Sequence, residues 1–142
     1  APIFPGVKEL MAKIQAAGMQ ICVVTGSGQR PLLQRLVDDF EGFVDAHHIV
    51  SAYDVDHGKP APDPYLMGMK KTGCQHPYEA IVVENAPLGV AAGVAAQCFT
   101  VAVNSGPLPD SALAEQGANI VLPDMLTLAS NFEQLLEEAG KQ

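Results

Sequence analysis

Apolar positions in this chain fall into two alternating rhythms. Val7, Leu10, Met11, Ile14 and Ala17 recur at helical spacing, and Gly18 follows as a stop. The run Met19–Val24 is short and continuously apolar, the signature of a strand buried on both faces. Leu32, Leu33, Leu36, Val37 and Phe40 mark a second helix, with Pro31 in its first turn. Residues 43–51 are ambiguous, with Ile49-Val50 a candidate short strand. Asp63 and Pro64 predict a helix start, Asp63 as cap and Pro64 at the first helical position, and the helix stops at Gly73. Residues 80–83 predict a strand running into Glu84. The small-residue stretch from Pro87 to Ala95 predicts a helix that packs closely on a sheet. Strands are also expected over 99–103 and 119–122. A closing amphipathic helix carries Met125, Leu128, Ala129, Phe132, Leu135 and Leu136, capped by Asp124.

Short apolar strands alternating with helices predict an α/β fold: a doubly wound parallel sheet with helices on both faces and right-handed crossovers. The 142 residues suit one domain. A doubly wound domain more often opens with a strand, whereas this chain opens with a helix. That order suggests that residue 1 lies partway through the domain.

Charge and composition narrow the functional classes. Sixteen acidic residues against eight basic ones give a net charge of −8, which argues against nucleic acid and anionic membrane surfaces as partners. No apolar run approaches the roughly 20 residues of a membrane-spanning helix. Cys22 and Cys98 lie in apolar runs and Cys74 in a turn. This odd, widely spaced set reads as reduced thiols in a cytoplasmic protein rather than as disulfides or a zinc site.

Candidate chemistry sits where strands hand over to loops. Thr25-Gly26-Ser27-Gly28 follows the first strand. It reads either as a plain turn or as a place where backbone N–H groups approach an oxyanion, and it matches neither a Walker loop nor GxGxxG. Lys59 stands apart from the helical basic residues in Gly58-Lys59-Pro60-Ala61-Pro62. It reads either as a solvated lysine or as one cation held by a stiffened loop for a phosphate. Glu84-Asn85 ends a strand, where a carboxylate can hold Mg²⁺ or Asn85 can cap the next helix. His47 and His48 would point to opposite faces of a strand, and His57 reads as a surface histidine. Asp54-Val55-Asp56 reads as loop acid. No serine or cysteine nucleophile motif is present.

Together these segments resemble the haloacid dehalogenase superfamily of phosphotransferases, and most closely its beta-phosphoglucomutase-like phosphatase branch. Val23-Val24-Thr25-Gly26-Ser27 is similar to the family's second motif and Gly58 to Tyr65 to its third. Val82 to Val90, followed by Ala92-Gly93, is similar to the fourth, and Phe4-Pro5-Gly6-Val7 to the segment that re-enters the core after the cap domain. The resemblance implies that Thr25, with the backbone of Gly26 and Ser27, binds the transferring phosphoryl group. It also implies that Lys59 neutralises phosphate and orients the nucleophile, and that Glu84 with Asn85 holds Mg²⁺ as cofactor.

Two departures shape the expectation. The family's first motif, an apolar strand ending in Asp-x-Asp-Gly, supplies the nucleophile; that motif and the substrate-selecting cap are absent from residues 1–142. Asn85 also stands where the family usually has an acid. The expectation is therefore a C-terminal portion of a HAD-like core domain. Its longer parent would be a Mg²⁺-dependent phosphatase or mutase of small phosphorylated substrates, most naturally sugar phosphates. The alternative is a catalytically inert phosphate-binding or interaction module. The bare chain is expected to be inactive, and an exposed sheet edge near its first strand offers a route to self-association.

Overall fold

The computed structural model describes residues 3–141. The first helix, α1 (Val7–Ala16), leads to β1 (Val23–Val24), α2 (Arg30–Asp39) and β2 (Ile49–Val50). A loop with two 3-10 turns flanking β2 then reaches α3 (Asp63–Thr72). The second half runs β3 (Ile81–Glu84), α4 (Pro87–Ala95), β4 (Phe99–Val103), α5 (Asp110–Ala114), β5 (Ile120–Leu122), α6 (Met125–Ser130) and α7 (Phe132–Ala139). Every ladder is parallel, and the fold is α/β.

The strands form two groups. β1 pairs with β2, Val23 opposite Ile49, while β3, β4 and β5 form a three-stranded ladder in that order. Between β1 and β3 there is no ladder; a cleft of about 640 Å³ lies there instead. The run Met19–Val24 therefore reaches strand geometry only at Val23 and Val24. Among the described residues its one ladder partner, β2, is two residues long, so the ladder ends there.

Helices cover both faces of the larger ladder because β4 is apolar apart from Thr100, whose hydroxyl donates to the Cys98 carbonyl at 3.0 Å. Phe99, Val101 and Val103 face Leu10 of α1 and Leu128 of α6. On the other face Ala102 packs with Val90 of α4 and Leu113 of α5. All five β4 residues are buried, as a central parallel strand requires. The small-residue face of α4 sits so close to the sheet that a Cβ at Gly93 would lie 2.8 Å from Thr100 Oγ1 and 2.9 Å from Val82 Cγ1. At the start of α1, Gly6 takes a φ of 91°. A Cβ there would come within 2.7 Å of the Leu126 backbone, so α1 and α6 can touch only through glycine. Lys13 Nζ reinforces that contact by donating to the Ala129 carbonyl at 2.7 Å.

Four details differ from the sequence reading. Pro62, not Asp63, is the residue before α3; its dihedrals are already helical, so Asp63 is the first helical residue and caps nothing. The closing helix breaks at Asn131, whose side chain donates to the Thr127 carbonyl at 2.8 Å and whose backbone leaves helical geometry. Asp124 does cap α6, accepting from Thr127 N–H at 2.7 Å. The short helix α5 carries too few periodic positions to be read from sequence. Last, His47 and His48 lie in a 3-10 turn rather than on a strand. Among the described residues no helix is long and apolar enough to cross a membrane.

Two outcomes follow from this packing. Gly93→Val should lower the unfolding free energy in urea by about 1–3 kcal/mol, because the new side chain has no space against Thr100 and Val82. Burial pushes the Cys22 and Cys98 thiols up to about 11 from an ordinary 9.0. The folded chain therefore holds these protons more tightly than the unfolded one. Their contribution is complete below pH 9 and is lost as pH rises towards 11. Urea titrations across that window should show stability falling, with a shallower fall in Cys98→Ala.

Candidate active site

Parallel strands place their carboxyl ends on one edge, and three of those ends carry the polar residues of interest. Thr25 follows β1, held by its N–H donating to the Val50 carbonyl at 2.9 Å. Ser51 follows β2, and Glu84 closes β3. The loop after β2 brings Lys59 back over this edge, with the Lys59–Pro60 peptide in the cis form. A pocket of about 150 Å³ results, lined by Thr25, Gly26, Ser51, Asp56, Gly58 and Lys59 among others.

The loop is anchored from beneath. The Asp54 carboxylate accepts from the Ser51 N–H at 2.7 Å and the Ser51 hydroxyl at 3.2 Å, closing a 3-10 turn. Lys71 on α3 pairs with the other Asp54 oxygen at 3.1 Å and also donates to the Ile49 carbonyl at 2.8 Å. The Ser51 N–H, followed by Lys71, holds the Asp54 carboxyl below its ordinary range. Asp54 is thus a structural acid that fixes the loop, whereas Asp56 lies at the lip of the pocket. His57 faces away, its Nδ1 3.2 Å from Asp63 at the start of α3.

Thr25-Gly26-Ser27 forms a tight turn. The Ser27 N–H donates to Thr25 Oγ1 at 3.2 Å, and the Gln29 N–H donates to Ser27 Oγ at 3.1 Å. The Ser27 N–H is therefore engaged locally. Because Thr25 Oγ1 accepts in that bond, its own proton remains available to an outside acceptor. A Cβ at Gly26 would meet nothing within 4 Å, so space is open above the turn.

Lys59 and Glu84, 25 residues apart, form an ion pair through Lys59 Nζ and Glu84 Oε1. The Tyr65 hydroxyl donates to the same carboxylate oxygen, and Lys59 Nζ lies 5.4 Å from the centre of the Tyr65 ring. The Glu84 side chain is only 8% exposed, which makes these partners necessary: a buried carboxylate needs compensation. Burial, and then the Glu84 charge, push the Tyr65 hydroxyl far above its ordinary value, so it stays a donor. Glu84 also crowds α4. A Cβ at Gly89 would sit 2.0 Å from Glu84 Oε2, so the carboxylate occupies space that only glycine leaves. Asn85 is exposed and gives Glu84 Oε2 a backbone N–H at 3.3 Å. It caps nothing, because Ala86 is the residue before α4.

The fold thus brings Thr25 and Lys59 to one pocket and Glu84 to Lys59. Sequence reasoning missed Tyr65 and Gly89. Tyr65 carried a signal, since a buried tyrosine hydroxyl needs a partner; Gly89 looked like helix packing alone. As a magnesium site the donors are incomplete. Glu84 is one carboxylate with one oxygen already doubly hydrogen-bonded, and among the described residues no three His, Cys, Asp or Glu side chains group around a point. These residues alone do not fit Mg²⁺. They fit an anion, with Lys59, the Thr25 hydroxyl and the open turn at Gly26 as its ligands.

Residues 1–97 match the sequence profile of the haloacid dehalogenase-like hydrolases. The chain is 40% identical over 101 residues to hexitol phosphatase A of Escherichia coli, covering 71% of this chain and 45% of that protein. It is 32% identical over 124 residues to glycerol-1-phosphate phosphohydrolase 2 of Saccharomyces cerevisiae, covering 83% of this chain and 49% of the relative. A solved structure from Bacteroides vulgatus, assigned as a beta-phosphoglucomutase, superposes with a TM-score of 0.88 at 48% identity, over the whole of this chain and 58% of that one. The chain spans about half the length of the curated relatives it matches.

The Lys59–Glu84 contact can be weighed directly. Lys59→Met should lower the unfolding free energy by about 2 kcal/mol, because it strands a buried carboxylate. Combined with Glu84→Gln, the loss should fall short of the two single losses summed by about 1 kcal/mol, read from a urea double-mutant cycle.

Proposed function

Since the chain belongs to the haloacid dehalogenase-like hydrolase family, we propose that it supplies the phosphate-gripping half of a phosphatase or phosphomutase active site. The substrates of the longer protein are small phosphate monoesters, with polyol and sugar phosphates the best match to its relatives' names. The observation that carries this reading is the pocket shared by Thr25 and Lys59, backed by the buried Glu84.

Phosphoryl transfer demands positioning and charge stabilisation more than covalent work by the protein. Lys59 would offer its two remaining ammonium protons to phosphate oxygens while Glu84 fixes the third. Thr25 would donate its hydroxyl to another oxygen. Tyr65 keeps Glu84 in place, and so keeps Lys59 aimed along the strand ends. Magnesium dependence belongs to this proposal only for the longer protein, because further carboxylates would have to join Glu84. When bound, the ion would neutralise phosphate charge.

A second reading is favoured by one feature. Apart from exposed Asp56, no carboxylate among the described residues lines the pocket, so the bare chain can bind an anion without a placed nucleophile. Binding without turnover is therefore the activity we assign to residues 1–142 alone.

The longer protein should release phosphate from hexitol and glycerol phosphates, and Lys59→Ala should reduce kcat by about 100- to 1,000-fold. An unchanged rate would remove Lys59 from the reaction. The bare chain should show phosphate-dependent shifts of the Thr25 and Gly26 amides by NMR and no ester turnover.

A further inference from the structure

We propose that Asp56 is a specificity-determining residue. Its carboxylate accepts a hydrogen bond from a substrate hydroxyl close to the phosphoester, and so selects hydroxylated monoesters over inorganic phosphate and over plain alkyl phosphates. The inference rests on the reading of the Thr25–Lys59 pocket as a phosphate site, and it names the residue that reads the rest of the substrate.

Charge is the first argument. Two charged side chains line the pocket, Lys59 and Asp56. The Lys59 ammonium already answers the Glu84 carboxylate. These three charges leave the pocket one unit negative before any ligand arrives. A phosphate monoester brings about −1.5 to −2 more at neutral pH. Lys59, the Thr25 hydroxyl and the open turn at Gly26 offer donors to that group, but a carboxylate on the same wall repels it. Phosphate alone therefore leaves one side of the pocket unanswered.

The second argument is that Asp56 has no structural duty. The neighbouring acids of this loop are engaged: Asp54 by Ser51 and Lys71, Asp63 by His57. Among the described residues the Asp56 carboxylate forms no ion pair. It also accepts from none of the groups that anchor the loop. The residue is exposed, so its oxygens are open to a ligand. Val55 before it and Gly58 and Lys59 after it line the same pocket, which makes Asp56 part of a continuous wall.

Chemistry then decides what this wall can read. An ionised carboxylate only accepts hydrogen bonds. It gains nothing from phosphate oxygens, which also accept, and it gains from a hydroxyl carried by a carbon near the ester. A substrate with such a hydroxyl answers Lys59 with its phosphate and Asp56 with its donor. A plain alkyl chain answers only the first, and it leaves the carboxylate beside a charge of its own sign. Discrimination by an unanswered polar group is stronger than discrimination by fit to a hydrocarbon. Because Asp56 is exposed, water stands in when the ligand offers no donor, which keeps the preference modest.

The test titrates the 142-residue chain with inorganic phosphate, propyl phosphate and glycerol 1-phosphate, following the Thr25 and Gly26 amides by NMR. Glycerol 1-phosphate should bind about threefold or more tighter than propyl phosphate, which has the same carbon chain without hydroxyls. Asp56→Ala should erase that ratio. By removing a like charge it should also tighten inorganic phosphate by about threefold, a gain that shrinks as salt is added. Asp56→Asn keeps an acceptor without the charge, so it should show the same gain for inorganic phosphate and retain part of the hydroxyl preference. A residue that only supported the fold would shift all three ligands together. Equal binding of the two esters by the unaltered chain, or an unchanged ratio in Asp56→Ala, would overturn the role of Asp56 and leave the phosphate pocket standing. If inorganic phosphate moves neither amide in any variant, the phosphate reading fails and this inference fails with it.

Discussion

A parallel strand must send its chain back across one face of the sheet before the next strand can begin. That single constraint gathers the chemistry of this molecule. The carboxyl ends of β1, β2 and β3 fall on one edge, and with them Thr25, Ser51 and Glu84, although 59 residues separate the first from the last. Helices bury β4 on both faces, the crossover helices α4 and α5 on one and α1, α6 and α7 on the other. The site is thus a by-product of how the core is closed.

Within that edge, burial of Glu84 sets the terms. A carboxylate only 8% exposed needs its charge answered, and two groups answer it: the ammonium of Lys59 from a loop and the hydroxyl of Tyr65 from α3. Each partner is itself held. Asp54 pins the loop through Ser51 and Lys71, and Tyr65 is buried against Val82 and Ala92. The absence of a side chain at Gly89 gives the carboxylate its space. A charge that would be costly alone becomes a fixed point from which Lys59 reaches the pocket, the kind of preorganisation that phosphate chemistry rewards.

The cleft between β1 and β3 belongs to the same logic. Two parallel ladders whose strand ends converge on one lysine flank a cleft with apolar walls. The curated relatives, about twice as long, are named as phosphatases and phosphohydrolases, and the chain belongs to the haloacid dehalogenase-like hydrolase family.

Much of this was legible in the chain itself. Periodicity located the long helices and the strands β3, β4 and β5, because buried parallel strands are continuously apolar and short. The isolation of Lys59 between prolines, and the placement of Thr25 and Glu84 at strand ends, marked the candidate site. Local signals failed where a neighbour decided the outcome. Asp63 lost its capping role to the helical geometry of Pro62, Asn131 broke a helix that its apolar spacing would have continued, and Met19–Val24 paired over only two residues because β2 is that short. The partnership of Lys59, Tyr65 and Glu84 was also beyond the sequence, since contacts across 19 and 25 residues arise only when β3 and α3 are packed together. Composition and spacing determined which elements form and which residues end them; only the tertiary structure decided which charges meet, because a buried carboxylate selects its partners by proximity in space.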